Sequence, residues 1–295
     1  MPFSPRPLGR TGLKVSPLGL ATGGGSLPAE GVELAFERGL TTLYWGSYRS
    51  APFGKGVAAL ARSRRDALQL VVQSYTRAAS LMRGSLERAL RALGTDHTDI
   101  LLLGWWNRPP PQRIVDAALE LRERGLTRHL MISCHDRTTF PTYASDPTYG
   151  AIMVRYNAAH PGAETEVFPS LGDATSRPGV VAYTATRWGH LLDPAMVPAD
   201  EPRPTSADCY RFALTHPSVD LAMCAPRDVA ELELALTAIE RGPLSDDELA
   251  WMKRVGAHVK RAAAGTRTWN PVDALDRAMS WLTPGPSSGA DIRRD

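Results

Sequence analysis

Residues 99–125, DILLLGWWNRPPPQRIVDAALELRERG, contain the unit that the rest of the chain repeats. A short, nearly continuous apolar run from Asp99 to Trp106 is followed by a helix-period segment from Ile114 to Arg124, and Gly125 stands just past its last apolar position as a stop. Working outward, the same alternation holds almost from end to end. The apolar runs are VSPLGLAT from Val15, TTLYWG from Thr41, LQLVVQS from Leu68, DILLLGWW from Asp99, RHLMISC from Arg128, AIMVRYN from Ala151, GVVAYTA from Gly179 and VDLAMCA from Val219, eight in all. Helical patterns separate them at Gly31 to Arg38, Gly56 to Arg65, Leu81 to Leu93, Ile114 to Arg124, Ala163 to Leu171, Ala207 to Thr215 and Asp228 to Arg241. After Thr138 the helical signal is short and aromatic, TTFPTYAS.

Runs that are continuously apolar rather than alternating are expected of parallel strands covered by helices. Eight of them alternating with helices in 295 residues predict an α/β fold, a (β/α)8 TIM barrel forming one domain over residues 1–282. A doubly wound sheet would open on a glycine fingerprint, and LATGGGSLP (20–28) lacks the G-x-G-x-x-G spacing. Past the eighth unit, SDDELAWMKRVGAHVKRAAA (245–264) predicts an added helix whose Ser245 and Glu248 form a capping box. WNPVDALDRAMSWL (269–282) predicts another, and the Pro-, Ser- and Gly-rich residues 283–295 a mobile tail.

Composition narrows the partners. With 34 basic and 31 acidic side chains the net charge is +3, too balanced to attract nucleic acid or an anionic membrane surface. No apolar run reaches the length of a bilayer span, and the first residues show no leader-like apolar region. Cys134, Cys209 and Cys224 are too few and too scattered for a disulfide framework, which fits a reducing, cytoplasmic location. Neither they nor His97, His129, His190 and His216 have metal-ligand spacing. A small-molecule ligand is the expected partner, and the sequence carries no signal of oligomeric state.

In such a barrel the chemistry lies at the C-terminal ends of the strands. Those ends are Tyr44 to Arg49, Ser74 to Thr76, Gly104 to Asn107, Ser133 to Asp136, Arg155 to Asn157, Tyr183 to Gly189 and Cys224 to Asp228, a set rich in aromatics and arginine. The segment TTLYWGSYRS (41–50) is the most conspicuous, because Ser47, Tyr48 and Arg49 are poorly explained by core packing.

PLGRTGLKVSPLGLATGG, RGSLERALRALGTDHTDILLL, RYNAAHPGAETEVFP, VAYTATRWGHLL and HPSVDLAM followed by DVAELELAL, in this order from about Pro7 to about Gly256, resemble the landmarks of the aldo-keto reductase superfamily. That resemblance implies a (β/α)8 barrel, NADP or NAD as cofactor without a metal, and carbonyl reduction by an Asp, Tyr, Lys and His tetrad. The tetrad positions fall instead on Tyr44, Arg49, Ser74 and Gly104, with Tyr48 the neighbour able to stand in for the tyrosine if the loop shifts by one residue. A tyrosine acid needs an adjacent cation or relay to lower a pKa near 10, which Ser74 and Gly104 do not supply. Among the cofactor positions Ser133 and Tyr183 match the family, while its asparagine falls on Cys134 and its glutamine on Met153. Arg227 keeps the cation expected near an adenosine 2′-phosphate, Asp228 stands where a hydroxyl is usual, and Arg187 follows the ring-stacking Tyr183.

Met153, Arg155 and Asn157 share one strand face. The sequence therefore predicts a ligand pocket of Trp45, Arg49, Trp105, Trp106, Cys134, Arg155 and Asn157, suited to a planar or anionic molecule. Three readings stay open: a divergent nicotinamide-dependent oxidoreductase using Tyr48, a barrel recruited for an elimination or isomerisation, and a non-catalytic ligand-binding or regulatory protein.

Overall fold

The computed structural model describes residues 1–22, 27–46 and 50–265. Tyr48, Arg49, the glycines at 23–25, the second added helix expected at 269–282 and the tail at 283–295 lie outside them. Eight parallel strands close into a barrel: β3 (Leu18–Ala21), β4 (Thr42–Trp45), β5 (Gln69–Ser74), β6 (Thr98–Leu103), β7 (Thr127–Ser133), β8 (Tyr149–Arg155), β9 (Gly179–Tyr183) and β10 (Leu221–Cys224), with β10 pairing back onto β3. Each arises from one of the eight apolar runs. An antiparallel pair, β1 (Arg6–Pro7) and β2 (Lys14–Val15), precedes them.

The helices are α1 (Ala29–Glu37), α2 (Ala51–Ser63), α3 (Ala79–Leu93), α4 (Gln112–Glu123), α5 (Phe140–Ser145), α6 (Ala163–Glu166), α7 (Ser206–Thr215), α8 (Val229–Arg241) and α9 (Asp246–Gly265). Their ends obey the signals in the sequence. Gly94 and Gly125 have φ of +67° and +74°, the left-handed geometry that ends a helix at little cost only in glycine. The capping box before α9 forms, the Ser245 Oγ accepting from the Glu248 amide at 3.2 Å and the Glu248 carboxylate accepting from the Ser245 amide at 2.9 Å. Two helices differ from expectation. α2 starts five residues early, at Ala51, because Pro52 is tolerated in a first turn where its missing N–H costs nothing. α6 stops at Glu166, since Pro169 cannot donate to a continuing helix and Phe168–Ser170 tighten into a 3-10 turn.

Alternation along the strands sorts the core into two shells. Leu43, Trp45, Val72, Leu101, Leu103, Ile132 and Val154 face the helices. Tyr44, Val71, Ile100, Leu102, Met131, Met153, Val181 and Met223 fill the barrel's interior. The bottom of the barrel is closed by the β1–β2 hairpin, whose Leu8 and Val15 join that inner shell. The approach is so close that a Cβ at Gly9 would meet the Gly179 amide at 2.3 Å. Ion pairs on two buried carboxylates lock the same end. Asp99 takes Arg65 at 2.9 Å and Arg128 at 3.0 Å, and Arg177 forks onto Asp220 at 2.7 and 2.8 Å. The charges the core could not otherwise tolerate are thus fully partnered, which leaves the opposite end of the barrel for function.

Candidate functional site

At the mouth, β4 and β5 each send a polar side chain inward. The Tyr44 hydroxyl donates to the Gln73 side-chain oxygen, and the two residues are only 6% and 4% exposed. Space around this pair is tight. A Cβ at Gly46 would fall 2.2 Å from Tyr44 Cζ, and one at Gly104 would fall 2.1 Å from Gln73 Nε2 and 2.7 Å from the Tyr75 ring. Val71 is inside and Val72 outside, so by alternation Gln73 is an inward residue, next to Ser74, the position that the resemblance aligns with the tetrad lysine.

Above the pair, the segment after β6 is held in a strained shape. Trp105 has φ +57°, a region costly for a bulky residue. Three contacts fix it. Its amide donates to Ser133 Oγ at 3.1 Å, and Arg77 donates to the carbonyls of Gly104 at 3.0 Å and Trp105 at 2.5 Å. The same guanidinium lies 3.9 Å from the Trp106 ring centroid. Trp105 is thereby aimed into a row of rings along the mouth. Tyr75 and Trp105 meet edge to face at 5.4 Å, Trp105 and His135 at 5.3 Å, and His135 and Tyr183 stack at 6.4 Å.

The far end of the row is cationic. Arg155 is on the inward face of β8, two residues beyond Met153 and in register with Tyr183 of β9. After β9 the chain turns through Thr184, Arg187, Trp188 and Gly189, all at positive φ, which leaves Trp188 61% exposed and sets an Arg187 Nη 3.4 Å from His160 Nε2. Burial, then Arg155 and Arg187, push the His160 imidazole down to about 3, so it is neutral at pH 7. Burial pushes the Tyr183 phenol up, against the opposing pull of Arg155.

Several residues expected in the pocket are elsewhere. Trp45 packs behind the barrel against Gly54 of α2, and Trp106 lies in the same helix-facing shell. Cys134 is there too, its thiol donating to the Asp136 carbonyl at 2.7 Å, since it is out of phase with inward Ser133. Asn157 is fully buried and structural: its amide donates to the Thr184 carbonyl at 2.8 Å and its oxygen accepts from the amides of Ala159 and His160. Trp105, Arg155, Tyr183 and Arg187 do converge on the mouth. Tyr75 and His135 join them from the strand ends already named, and Gln73, Arg77 and His160 join them unannounced. Counting alternation along VVQS would have found Gln73, whereas nothing in the sequence singles out Arg77.

The positions to which the resemblance assigns cofactor contacts have the following partners. At the start of α8 the Asp228 carboxylate caps the helix, accepting from the Glu231 amide at 2.8 Å, and Glu231 takes both the side chain and the amide of Arg227. Two carboxylates thus stand beside Arg227, the cation that the resemblance sets near a 2′-phosphate. Of the positions that the resemblance sets at a nicotinamide, Ser133 Oγ accepts from the Trp105 amide, Cys134 lies in the helix-facing shell and Met153 in the inner one. Among the described residues, no three His, Cys, Asp or Glu side chains are gathered to hold a metal, and no helix is long and apolar enough to cross a membrane.

Comparison by sequence finds no matching family profile and no matching curated relative. Comparison of folds is informative. An aldo-keto reductase from Bacillus halodurans in its holo form superposes with a TM-score of 0.71 at 19% identity, over 85% of this chain and 95% of that one. An aldo-keto reductase from Klebsiella pneumoniae in complex with NADPH gives 0.67 at 22% identity, over 86% and 96%. A protein described as a putative 2,5-diketo-D-gluconic acid reductase B gives 0.67 at 20%, over 85% and 92%. The chain therefore has the eight-stranded barrel fold of the aldo-keto reductases.

Proposed function

We propose that this barrel does not perform NADPH-dependent carbonyl reduction by the usual tetrad, and that its mouth is a binding site for a planar small molecule. The observation that carries this is the Tyr44–Gln73 hydrogen bond beneath Gly104. The tetrad that the resemblance implies sets a carboxylate, an ammonium and an imidazole beside its tyrosine, and the neutral Tyr44–Gln73 pair supports a reading without them. The aromatic row from Tyr75 through Trp105 and His135 to Tyr183 supports the second half of the reading, since stacked and edge-on rings form a wall for a flat ligand. The Klebsiella neighbour's NADPH belongs to that protein. In this chain the carboxylates of Asp228 and Glu231 oppose a bound 2′-phosphate.

The test is titration with NADPH and NADH while following tryptophan fluorescence, together with a panel of aldehydes and ketones. The expected result is no turnover with either nucleotide and no NADPH binding in the micromolar range. NADPH-dependent reduction that disappears in Tyr48→Phe would overturn the reading in favour of a divergent oxidoreductase.

A further inference from the structure

α9 lies beyond the eight repeats of the barrel, and helical phase sorts its side chains into three rows with different neighbours. Met252, Val255 and Val259 make the middle row, each 0% exposed and part of the helix-facing core. One flank carries Trp251 and Arg254. The Trp251 indole donates to the Pro202 carbonyl at 3.1 Å and Arg254 pairs with Glu201 at 2.6 Å, both on the segment that follows β9. The other flank carries Lys253 and Gly256. Lys253 reaches Glu164 of α6 at 3.4 Å and Gly256 abuts Ala158, both on the segment that follows β8. The helix is pinned at its first turn, where the Glu248 carboxylate accepts from both Nη groups of the buried Arg211 of α7 at 2.7 Å.

The contact at Gly256 admits no side chain. A Cβ there would overlap the Ala158 carbonyl and lie 2.9 Å from the Ala158 Cβ, and neither is the yielding end of a flexible side chain. Ala158 sits inside the turn that Asn157 closes. The Asn157 side-chain oxygen accepts from the Ala159 and His160 amides, and its side-chain amide crosses to the Thr184 carbonyl just past β9. Three residues beyond Thr184, an Arg187 Nη lies 3.4 Å from His160 Nε2. The segments after β8 and β9 are thus joined twice at the mouth, and α9 is seated against both of them on the helix side.

We propose that α9 is a wedge that sets the mouth: by holding the segments after β8 and β9 at a fixed spacing it fixes the Asn157 turn and the His160–Arg187 contact, so that a shift of the helix and a shift of the mouth are one motion. This does not depend on what the mouth binds. Close-packed interiors transmit strain instead of absorbing it, and the exposed ion pairs of Lys253 and Arg254 are individually weak, so the apolar row and the Gly256 contact hold the wedge in place.

Hydrogen–deuterium exchange of the full chain, read peptide by peptide, compares wild type with Gly256→Ala, Trp251→Ala and Gly84→Ala. A Cβ added at Gly84 would meet only Arg88 Nη1 at an ordinary 3.6 Å, so Gly84→Ala is expected to exchange as slowly as wild type or more slowly. Gly256→Ala presses on the segment after β8, and Trp251→Ala releases the one after β9. Each is expected to raise exchange roughly tenfold or more in both segments, residues 157–166 and 184–202, while residues 98–103 of β6 keep their protection. The imidazole resonances of His160 are expected to move in both variants. Loosening confined to the segment that the substituted flank touches would overturn the proposal, and so would wild-type exchange in both segments. If Gly256→Ala fails to fold or loses protection in β6 as well, the partly exposed Trp251 keeps the test open: Trp251→Ala then decides alone, by whether residues 157–166 loosen together with 184–202.

Discussion

The Tyr44 hydroxyl and the Gln73 side-chain oxygen share a hydrogen bond across β4 and β5, directly under the space that Gly104 leaves open. The three residues act as one packing unit, because Gln73 Nε2 and the Tyr75 ring fill the volume a side chain at 104 would need. Gly104→Ala is therefore expected to destabilise the protein by about 1–3 kcal/mol, the usual cost of overpacking a tight core. In a Gln73→Ala background the penalty shrinks, leaving the contact with Tyr75. Urea unfolding of the two single variants and the double variant measures the coupling, and additive effects would show that Gln73 does not occupy the site.

Arg77 does for the loop after β6 what Gln73 does for the floor. It donates to two carbonyls of the left-handed segment and covers Trp106. Lysine has neither the fork nor the flat face, so Arg77→Lys is expected to cost about 2 kcal/mol, the size of a charge-assisted hydrogen bond lost at a partly buried site. Trp105 should then leave the ring row. Tryptophan emission should change in Arg77→Lys more than in Arg108→Lys, a nearby control. Unchanged emission and an unchanged unfolding midpoint would show that the loop holds its shape without this clamp.

Most of the barrel was legible in the sequence because each strand is an apolar run bounded by stop signals that act locally, as Gly94 and Gly125 do. The site was less so. Trp45, Trp106 and Cys134 are the right residue types at the right strand ends, and they fall on the helix-facing side through a phase of one residue, which composition does not reveal. Gln73 was passed over for the same reason, since attention fell on Ser74 beside it. His160 escaped notice because its partner Arg187 is 27 residues away, and a contact across two loops leaves no periodic trace. Asn157 looked like a ligand-binding group and is a loop brace, a distinction that only its full burial, two local hydrogen bonds and a third to Thr184 can make.

His160 also predicts a pH dependence. Its pKa falls from an ordinary value near 6.5 to about 3 in the folded chain, through burial first and then Arg155, Arg187, Arg137 and Lys260. Between those two values the unfolded chain binds a proton that the folded chain refuses, so stability falls as pH falls. Above about pH 7 the ring is neutral in both states and contributes no slope. From pH 6.5 to pH 4 the wild type should lose stability faster than His160→Gln, by at most about 1.4 kcal/mol per pH unit and less where solvent reaches the ring. Urea midpoints of both proteins at half-unit steps test this, and parallel curves would mean that His160 titrates normally.

The start of α8 makes the cofactor reading reversible by design. Under the proposed reading, Glu231 engages Arg227, the cation the resemblance assigns to a phosphate, and Asp228 puts a second carboxylate at a helix N-terminus that would otherwise favour an anion. Asp228→Ser keeps an oxygen to cap the helix, and Glu231→Gln releases Arg227 while preserving length, so the double variant should fold as the parent does. Removing two like charges from the neighbourhood of a 2′-phosphate is expected to raise NADPH affinity at least tenfold, about 1.4 kcal/mol, with a much smaller change for NADH, which lacks that phosphate. Fluorescence titration of both nucleotides reads the two effects side by side. An equal gain for NADH would place the carboxylates' influence on the shared pyrophosphate, and no gain for either would show that the nicotinamide end, with Ser133 engaged and Met153 apolar, is what excludes the cofactor.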